Sequence, residues 1–158
     1  MLIASWNVNS IRTRLEQVIK FIQSSRIDVL CLQETKVLDK DFPFKPFEDL
    51  GYIVKISGQK SYNGVAIISK FELEDVKTDF VGELKKDEVE DLYIDQKRII
   101  SALINGVRII NVYVPNGSSL NSEKYNFKMA WLDYLYTYLK KQSNRNELTC
   151  LLGDFNIA

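Results

Sequence analysis

The sequence predicts an α/β domain. A strand, a helix and a second strand follow one another from Leu2 to Leu32, at the spacing of a parallel crossover. Two β-rich runs meet at Asn105-Gly106, a strong short hairpin signal. A long amphipathic helix, Ser122 to Lys141, then leads into another apolar strand, Leu148 to Leu152.

Each element has a local reason. Leu2 to Val8 is apolar and β-type, and Asn9 and Ser10 after it are helix-capping residues. Ile11, Leu15, Val18 and Ile22 recur at helical spacing, with Arg12, Arg14, Glu16 and Lys20 between them. Ile27 to Leu32 is the second buried strand. Pro43 and Pro46 make Asp39 to Leu50 a loop with room for one short helix. Tyr52 to Ile56 and Val65 to Ser69 are strands joined by the polar turn Ser61-Tyr62-Asn63-Gly64. Ten acids against three lysines give Glu72 to Asp95 a net charge of −7, read as a solvated loop and edge strand. Arg98 to Ile104 and Val107 to Val114 form the hairpin, which Pro115-Asn116-Gly117 ends. Phe127, Trp131, Tyr134, Leu135, Tyr138 and Leu139 mark the buried face of the last helix. No repeat or linker divides the chain, so residues 1–158 read as one domain.

Composition excludes several classes. Apolar residues make up 46% and charged residues 27%, which suits a folded globular protein. No apolar run reaches the ~20 residues of a membrane helix, and the amino terminus lacks the basic start of a secretory signal. Lysine plus arginine balances aspartate plus glutamate at 21 each, so bulk charge leaves no nucleic-acid footprint. Weak nonspecific DNA affinity with a shallow salt dependence follows. Histidine is absent, which removes Ser-His-Asp and Cys-His catalysis and histidine-bound zinc within the chain. Cys31 and Cys150 sit in apolar runs and read as reduced core residues of a cytoplasmic protein.

Chemistry concentrates where strands end. The first strand delivers Asn7 and Asn9, the second Gln33, Glu34 and Lys36, the hairpin Tyr113 and Asn116, and the last strand Gly153, Asp154 and Asn156. Strands that share one edge would converge these groups on a crevice. Asn, Asp and Gly are also ordinary turn formers, but Gln33 and Glu34 are not. Carboxylates and amides are hard ligands suited to Mg²⁺ or Mn²⁺, and Glu34 with Asp154 matches the one or two carboxylates such an ion takes. A tyrosine hydroxyl and asparagine amides suit phosphate oxygens. The residues alone thus point to metal-assisted phosphoester hydrolysis.

Five motifs appear in order: Ser5-Trp6-Asn7-Val8-Asn9-Ser10-Ile11-Arg12, Leu32-Gln33-Glu34-Thr35-Lys36, Tyr62-Asn63-Gly64-Val65-Ala66, Val112-Tyr113-Val114-Pro115-Asn116-Gly117 and Gly153-Asp154-Phe155-Asn156-Ile157. Together they resemble the exonuclease III type of AP endonuclease, in the endonuclease/exonuclease/phosphatase superfamily. The resemblance implies a two-sheet α/β sandwich flanked by helices. It implies that Glu34 is the principal metal ligand, with Asn7, Asp154 and Asn156 at the same site. Asp154 would be the acid/base residue, while Asn156 and Tyr113 hold the scissile phosphate. Arg98, Asn116, Asn9 and Lys36 are the candidate DNA contacts. The implied reaction is Mg²⁺-dependent (or Mn²⁺-dependent) hydrolysis of double-stranded DNA 5′ to abasic sites, with removal of nucleotides or blocking groups from 3′ ends.

Relatives of that type are longer. Their second half brings a further aspartate and a Ser-Asp-His motif, for which this chain has no counterpart. The resemblance therefore implies an amino-terminal portion: one sheet with its covering helices, one face left apolar, and low or no activity alone. A separate carboxyl-terminal half is the implied partner. Two rival functions stand beside this one: a superfamily phosphoesterase acting on inositol phosphates, phospholipid headgroups or RNA ends, and a non-catalytic fragment binding DNA or a partner. The Asn116-Gly117-Ser118 sequon reads as a turn, and Trp6 and Trp131 as core.

Overall fold

The computed structural model describes residues 1–157. Eight strands build two four-stranded sheets. The first holds β1 (Ile3–Asn7), β2 (Val29–Gln33), β3 (Ile53–Ser57) and β4 (Val65–Ser69), in the order β1-β2-β4-β3. The second holds β5 (Glu74–Lys77), β6 (Ile99–Ile104), β7 (Val107–Tyr113) and β8 (Leu148–Asp154), in sequence order. Among the described residues there are four α-helices, α1 (Ile11–Ser25), α2 (Lys45–Glu48), α3 (Asp91–Asp95) and α4 (Glu123–Ser143), and two short 3-10 turns, Asp39–Asp41 and Lys86–Glu88.

The expected crossovers and hairpin are present. β1 and β2 are parallel through α1, and β7 and β8 are parallel through α4. Ser10 caps α1 by accepting from the Thr13 amide, and Ser122 caps α4 by accepting from the Tyr125 amide. Asn105 and Gly106 turn the β6–β7 hairpin with φ of 50° and 76°, the paired positive values of a type I′ turn.

The expectation of a single sheet with an exposed apolar face is corrected. Both sheets are present and pack face to face. Val29, Cys31, Val65 and Ile67 from the first meet Ile100, Ala102, Ile104 and Ile109 from the second. Outside the first sheet, α1 supplies Ile11, Val18 and Ile22 to a second cluster with Leu30, Leu32 and Phe47. Outside the second sheet, α4 supplies Trp131, Leu135 and Tyr138 to a third with Ile110 and Val112. The result is four layers, helix on sheet on sheet on helix.

The acidic stretch is also more than a solvated loop. β5 is an edge strand, as expected, but Phe80, Leu84 and Val89 are buried against α4. Glu83 lies buried between Lys77 and Arg145, and Asp75 pairs with the fully buried Arg108 at 2.6 Å. Charge here closes the lower edge of the second sheet. Trp131 is fully buried, and Trp6 packs edge-on against Phe21, as expected of core residues. Both cysteines are free. No helix among the described residues is long and apolar enough to cross a membrane.

A buried amide fixes how the two sheets face each other. Asn111, fully buried in β7, donates to the Leu32 and Ala66 carbonyls of the first sheet at 2.9 and 3.0 Å. Its Oδ1 accepts from Gln33 Nε2 at 2.7 Å, and Gln33 also donates to Ser5. Gln33, read from the sequence as a crevice residue, is buried as part of this clamp.

Two predictions follow from this packing. Gly153 has φ +141°, and a Cβ there would stand 2.0 Å from the Val112 carbonyl oxygen. Gly153→Ala should lower Tm by roughly 5 °C or more, from backbone strain and lost β7–β8 pairing, as measured by thermal denaturation. Burial alone would raise the Glu83 carboxyl, but Lys77 and Arg145 outweigh it and hold it below its ordinary value of 4.5. Because the folded value is the lower one, this stabilisation is full above pH 4.5 and fades as pH falls through the folded value. Glu83→Gln should therefore lower Tm at pH 7, and the difference from the parent chain should shrink progressively as pH is lowered below 4.5.

Candidate active site

Parallel pairing aligns the carboxyl ends of four strands. Asn7 ends β1 beside Gln33, and Tyr113 ends β7 beside Asp154 of β8. With the sheets clamped face to face, β1 lies against β8 and these ends meet. The side-chain amide of Asn7 joins the two carboxylates, donating to Glu34 Oε1 at 2.8 Å and to Asp154 Oδ2 at 2.7 Å. Asn7 Oδ1 in turn accepts from the Asn9 backbone amide at 3.1 Å. Two acceptors on one side and a donor on the other leave the amide one orientation, nitrogen toward the carboxylates.

Glu34 sits in a demanding backbone. Its φ is 54° and that of Lys36 is 56°, left-handed values unusual for long side chains. Loop partners hold it there: the Ser10 amide donates to the Glu34 carbonyl at 2.7 Å, and the Lys36 amide donates to the Asn63 carbonyl at 3.0 Å. Burial pushes the Glu34 carboxyl up, but hydrogen bonds from Asn7, Lys36 and Tyr113 and the Lys36 charge prevail and hold it below its ordinary value. The Lys36 ammonium lies 3.1 Å from Glu34 Oε2 and also meets Asn9 Oδ1. Both candidate DNA contacts on this side are thus tied to the carboxylate.

The second sheet brings the remaining candidates. Burial pushes the Tyr113 hydroxyl up to about 12, and the charge of Glu34 adds to this, so the hydroxyl stays a donor at neutral pH. The Arg98 guanidinium lies 4.7 Å from the Tyr113 ring centroid and donates to the Tyr113 carbonyl and to Gln96. Asp154 Oδ1 accepts from the Asn156 amide at 3.0 Å, and Asn156 Nδ2 donates to the Val114 carbonyl at 2.7 Å. The other Asn156 side-chain proton has no acceptor among the described residues. Asn116 is exposed at the rim, where its Oδ1 accepts from Ser118. It borders a cleft of about 310 Å³ lined also by Arg98, Tyr113, Lys124 and Phe127.

Glu34, Asn7, Asp154, Asn156 and Tyr113 therefore share one crevice, with Arg98 and Asn116 on its second-sheet side and Asn9 and Lys36 on its first-sheet side. Sequence reading missed Gln96, which orients Arg98, and Lys128, which reaches from α4 to the Asn156 carbonyl at 2.6 Å. It also missed Asn111, whose signal was available: one amide inside the apolar run Ile109-Ile110-Asn111-Val112.

The Endonuclease/Exonuclease/phosphatase family profile matches residues 4–158. The chain belongs to this family. Exodeoxyribonuclease III of Haemophilus influenzae is 35% identical over 159 residues, which cover 98% of this chain and 57% of that protein. An AP endonuclease from Archaeoglobus fulgidus is 44% identical with a TM-score of 0.88, covering 100% of this chain and 58% of the other. The 3′ phosphatase NExo from Neisseria, solved with a product DNA hairpin, is 38% identical with a TM-score of 0.89, over 99% and 58%. The chain spans less than three-fifths of the length of each.

The family is one of metal-dependent nucleases, and the donor set here fits a hard divalent cation. Glu34 is ionised and partly exposed, Asp154 stands across the Asn7 amide from it, and the Asn156 side-chain oxygen has no protein donor among the described residues. Among the described residues no cluster of three or more acids, cysteines or histidines forms a closed metal cage.

The Asn7 nitrogen separates two carboxylates, which suggests a titration test. Asn7→Asp replaces the donor by a third negative charge. The Glu34 carboxyl should then titrate above its ordinary value of 4.5 instead of below it. Carboxyl ¹³C NMR of the metal-free chain measures this, and a titration still below that value would refute the bridging role.

Proposed function

We propose that this chain carries the metal- and phosphate-holding part of a DNA-repair nuclease. It would hydrolyse the phosphodiester 5′ to abasic sites in double-stranded DNA and remove nucleotides or blocking groups from 3′ ends. The observation that carries the reading is the Asn7 amide joining Glu34 to Asp154 across two sheets. Likeness to an exodeoxyribonuclease III, an AP endonuclease and a 3′ phosphatase supports the substrate class.

Glu34 would hold Mg²⁺ or Mn²⁺, with Asp154 and Asn156 beside it. When bound, the ion supplies Lewis-acid polarisation of a phosphoryl oxygen and neutralises charge on the leaving oxygen. Asp154 keeps a free lone pair on each oxygen after serving Asn7 and Asn156, so it can orient a water and take its proton. Tyr113 would turn its hydroxyl proton from Glu34 to a phosphate oxygen, and Asn156 would donate its second amide proton to another. Arg98 and Asn116 line the cleft toward the flanking backbone, and Asn9 and Lys36 its other wall. Lys36 is free for a phosphate only if Glu34 gains another cation, so metal and DNA would bind cooperatively on that side.

Free cysteines, with burial pushing the Cys31 thiol up, fit a reducing cytoplasm. The part of the relatives' length that these residues do not span would complete the centre.

Incision of a duplex with one abasic site tests the reading. The chain alone should cut weakly in Mg²⁺ and not at all in EDTA, and Asp154→Asn should reduce cutting by at least about 100-fold. Metal-independent cutting, or full activity in Asp154→Asn, would overturn it. Equal or better hydrolysis of inositol phosphates would move the substrate class.

A further inference from the structure

The loop that carries Glu34 is held by a steric fit that no catalytic group explains. Thr35, between two left-handed residues, is 1% exposed, and its Oγ1 is buried with no hydrogen-bond partner among the described residues. A buried hydroxyl left unpaired is destabilising, so its place needs a reason. The reason lies opposite. Gly64 has φ +89°, and a Cβ there would stand 2.2 Å from Thr35 Oγ1. Thr35 therefore occupies the space that any other residue at 64 would fill. The contact is locked from both sides, since the Thr35 amide donates to the Gly64 carbonyl at 3.1 Å and the Ile11 amide to the Thr35 carbonyl at 3.1 Å.

Gly64 reaches further. Its amide donates to the Lys97 carbonyl at 2.8 Å, and the Tyr113 amide donates to the neighbouring Arg98 carbonyl at 2.7 Å. One glycine thus ties the loop carrying Glu34 in the first sheet to Arg98 and Tyr113 in the second.

We infer that Thr35 and Gly64 form a positioning pair: their mutual fit holds Glu34 in its left-handed conformation, against Asn7 and toward the metal, and registers it with the Arg98–Tyr113 side of the crevice. Neither residue touches substrate. Thr35 acts through shape, because its hydroxyl has no partner to lose. The metal part of this inference rests on the proposed role of Glu34; the positioning of the carboxylate does not.

Complementary volume gives the test, in the whole 158-residue chain. Gly64→Ala introduces a clash, Thr35→Ala a gap, and the double variant puts a methyl where the threonine side chain stood. Calorimetric titration with Mn²⁺ alone should show binding weakened at least tenfold in Gly64→Ala and several-fold in Thr35→Ala. The double variant should bind more tightly than either, short of full recovery because alanine still meets φ +89°. Thr35→Val, the same shape without the hydroxyl, should bind as the unaltered chain does. The Asn7 side-chain amide resonance, followed by NMR without metal, should shift in both single variants and return in the double.

A double variant no better than the weaker single one, or a parent-like Gly64→Ala, overturns the pair. If Gly64→Ala does not fold, the double variant against Thr35→Ala decides. Should Glu34→Ala leave Mn²⁺ binding unchanged, the metal role of Glu34 fails, and the Asn7 resonance still decides the positioning.

Discussion

Everything in the crevice depends on one buried amide. Asn111 reaches from β7 into the first sheet and satisfies two carbonyls and one glutamine there. The buried cluster between the sheets is otherwise mostly aliphatic, and aliphatic contacts alone tolerate sliding. Three directional bonds in a dry environment do not. Each would leave an unpaired polar group if the sheets slipped, at about 1–3 kcal/mol apiece. The clamp sits next to the carboxyl ends of β1, β2, β7 and β8, so it sets their relative height where the chemistry needs it.

Above the clamp, the design problem is charge. Two carboxylates close enough to share an ion repel each other without one. The Asn7 nitrogen is a neutral spacer that donates to both, and Lys36 neutralises Glu34 from the far side. Glu34 is therefore poised in its charged form with no cation, while Tyr113 beside it is kept protonated by the same burial and charge. One group is held ionised and its neighbour protonated. Environment decides the roles more than residue type does.

Much of this was legible in the sequence, and the exceptions have physical causes. The βαβ crossover from β1 to β2 could be read because strand and helix periods are distinct there, and the hairpin because Asn105-Gly106 admits few alternatives. Glu34, Asp154 and Asn7 could be placed at strand ends because apolar runs stop at them. Which sheet each strand joins was not legible: Val65 to Ser69 and Arg98 to Ile104 look alike as apolar runs, yet they lie in different sheets. That choice is made by long-range packing, so a single-sheet half was expected where two sheets form. The acidic stretch misled for a related reason. Local charge suggested solvent, but Glu83 and Asp75 find Lys77, Arg145 and Arg108 from other parts of the chain. Gln33 misled in the other direction, since a polar residue at a strand end can serve the core.

The Asn7–Asp154 hydrogen bond joins residues 147 positions apart, almost the whole chain. Pairing of β1 with β2 closes a short loop, and the β6–β7 hairpin a shorter one, so both can form early. The crevice cannot. It waits for β8 to dock in parallel against β7 and bring Asp154 across. Until then Glu34 has its loop and its lysine but no second carboxylate. The geometry of the crevice is thus a long-range property, present only when strands far apart in the sequence, one from each sheet, are both in place.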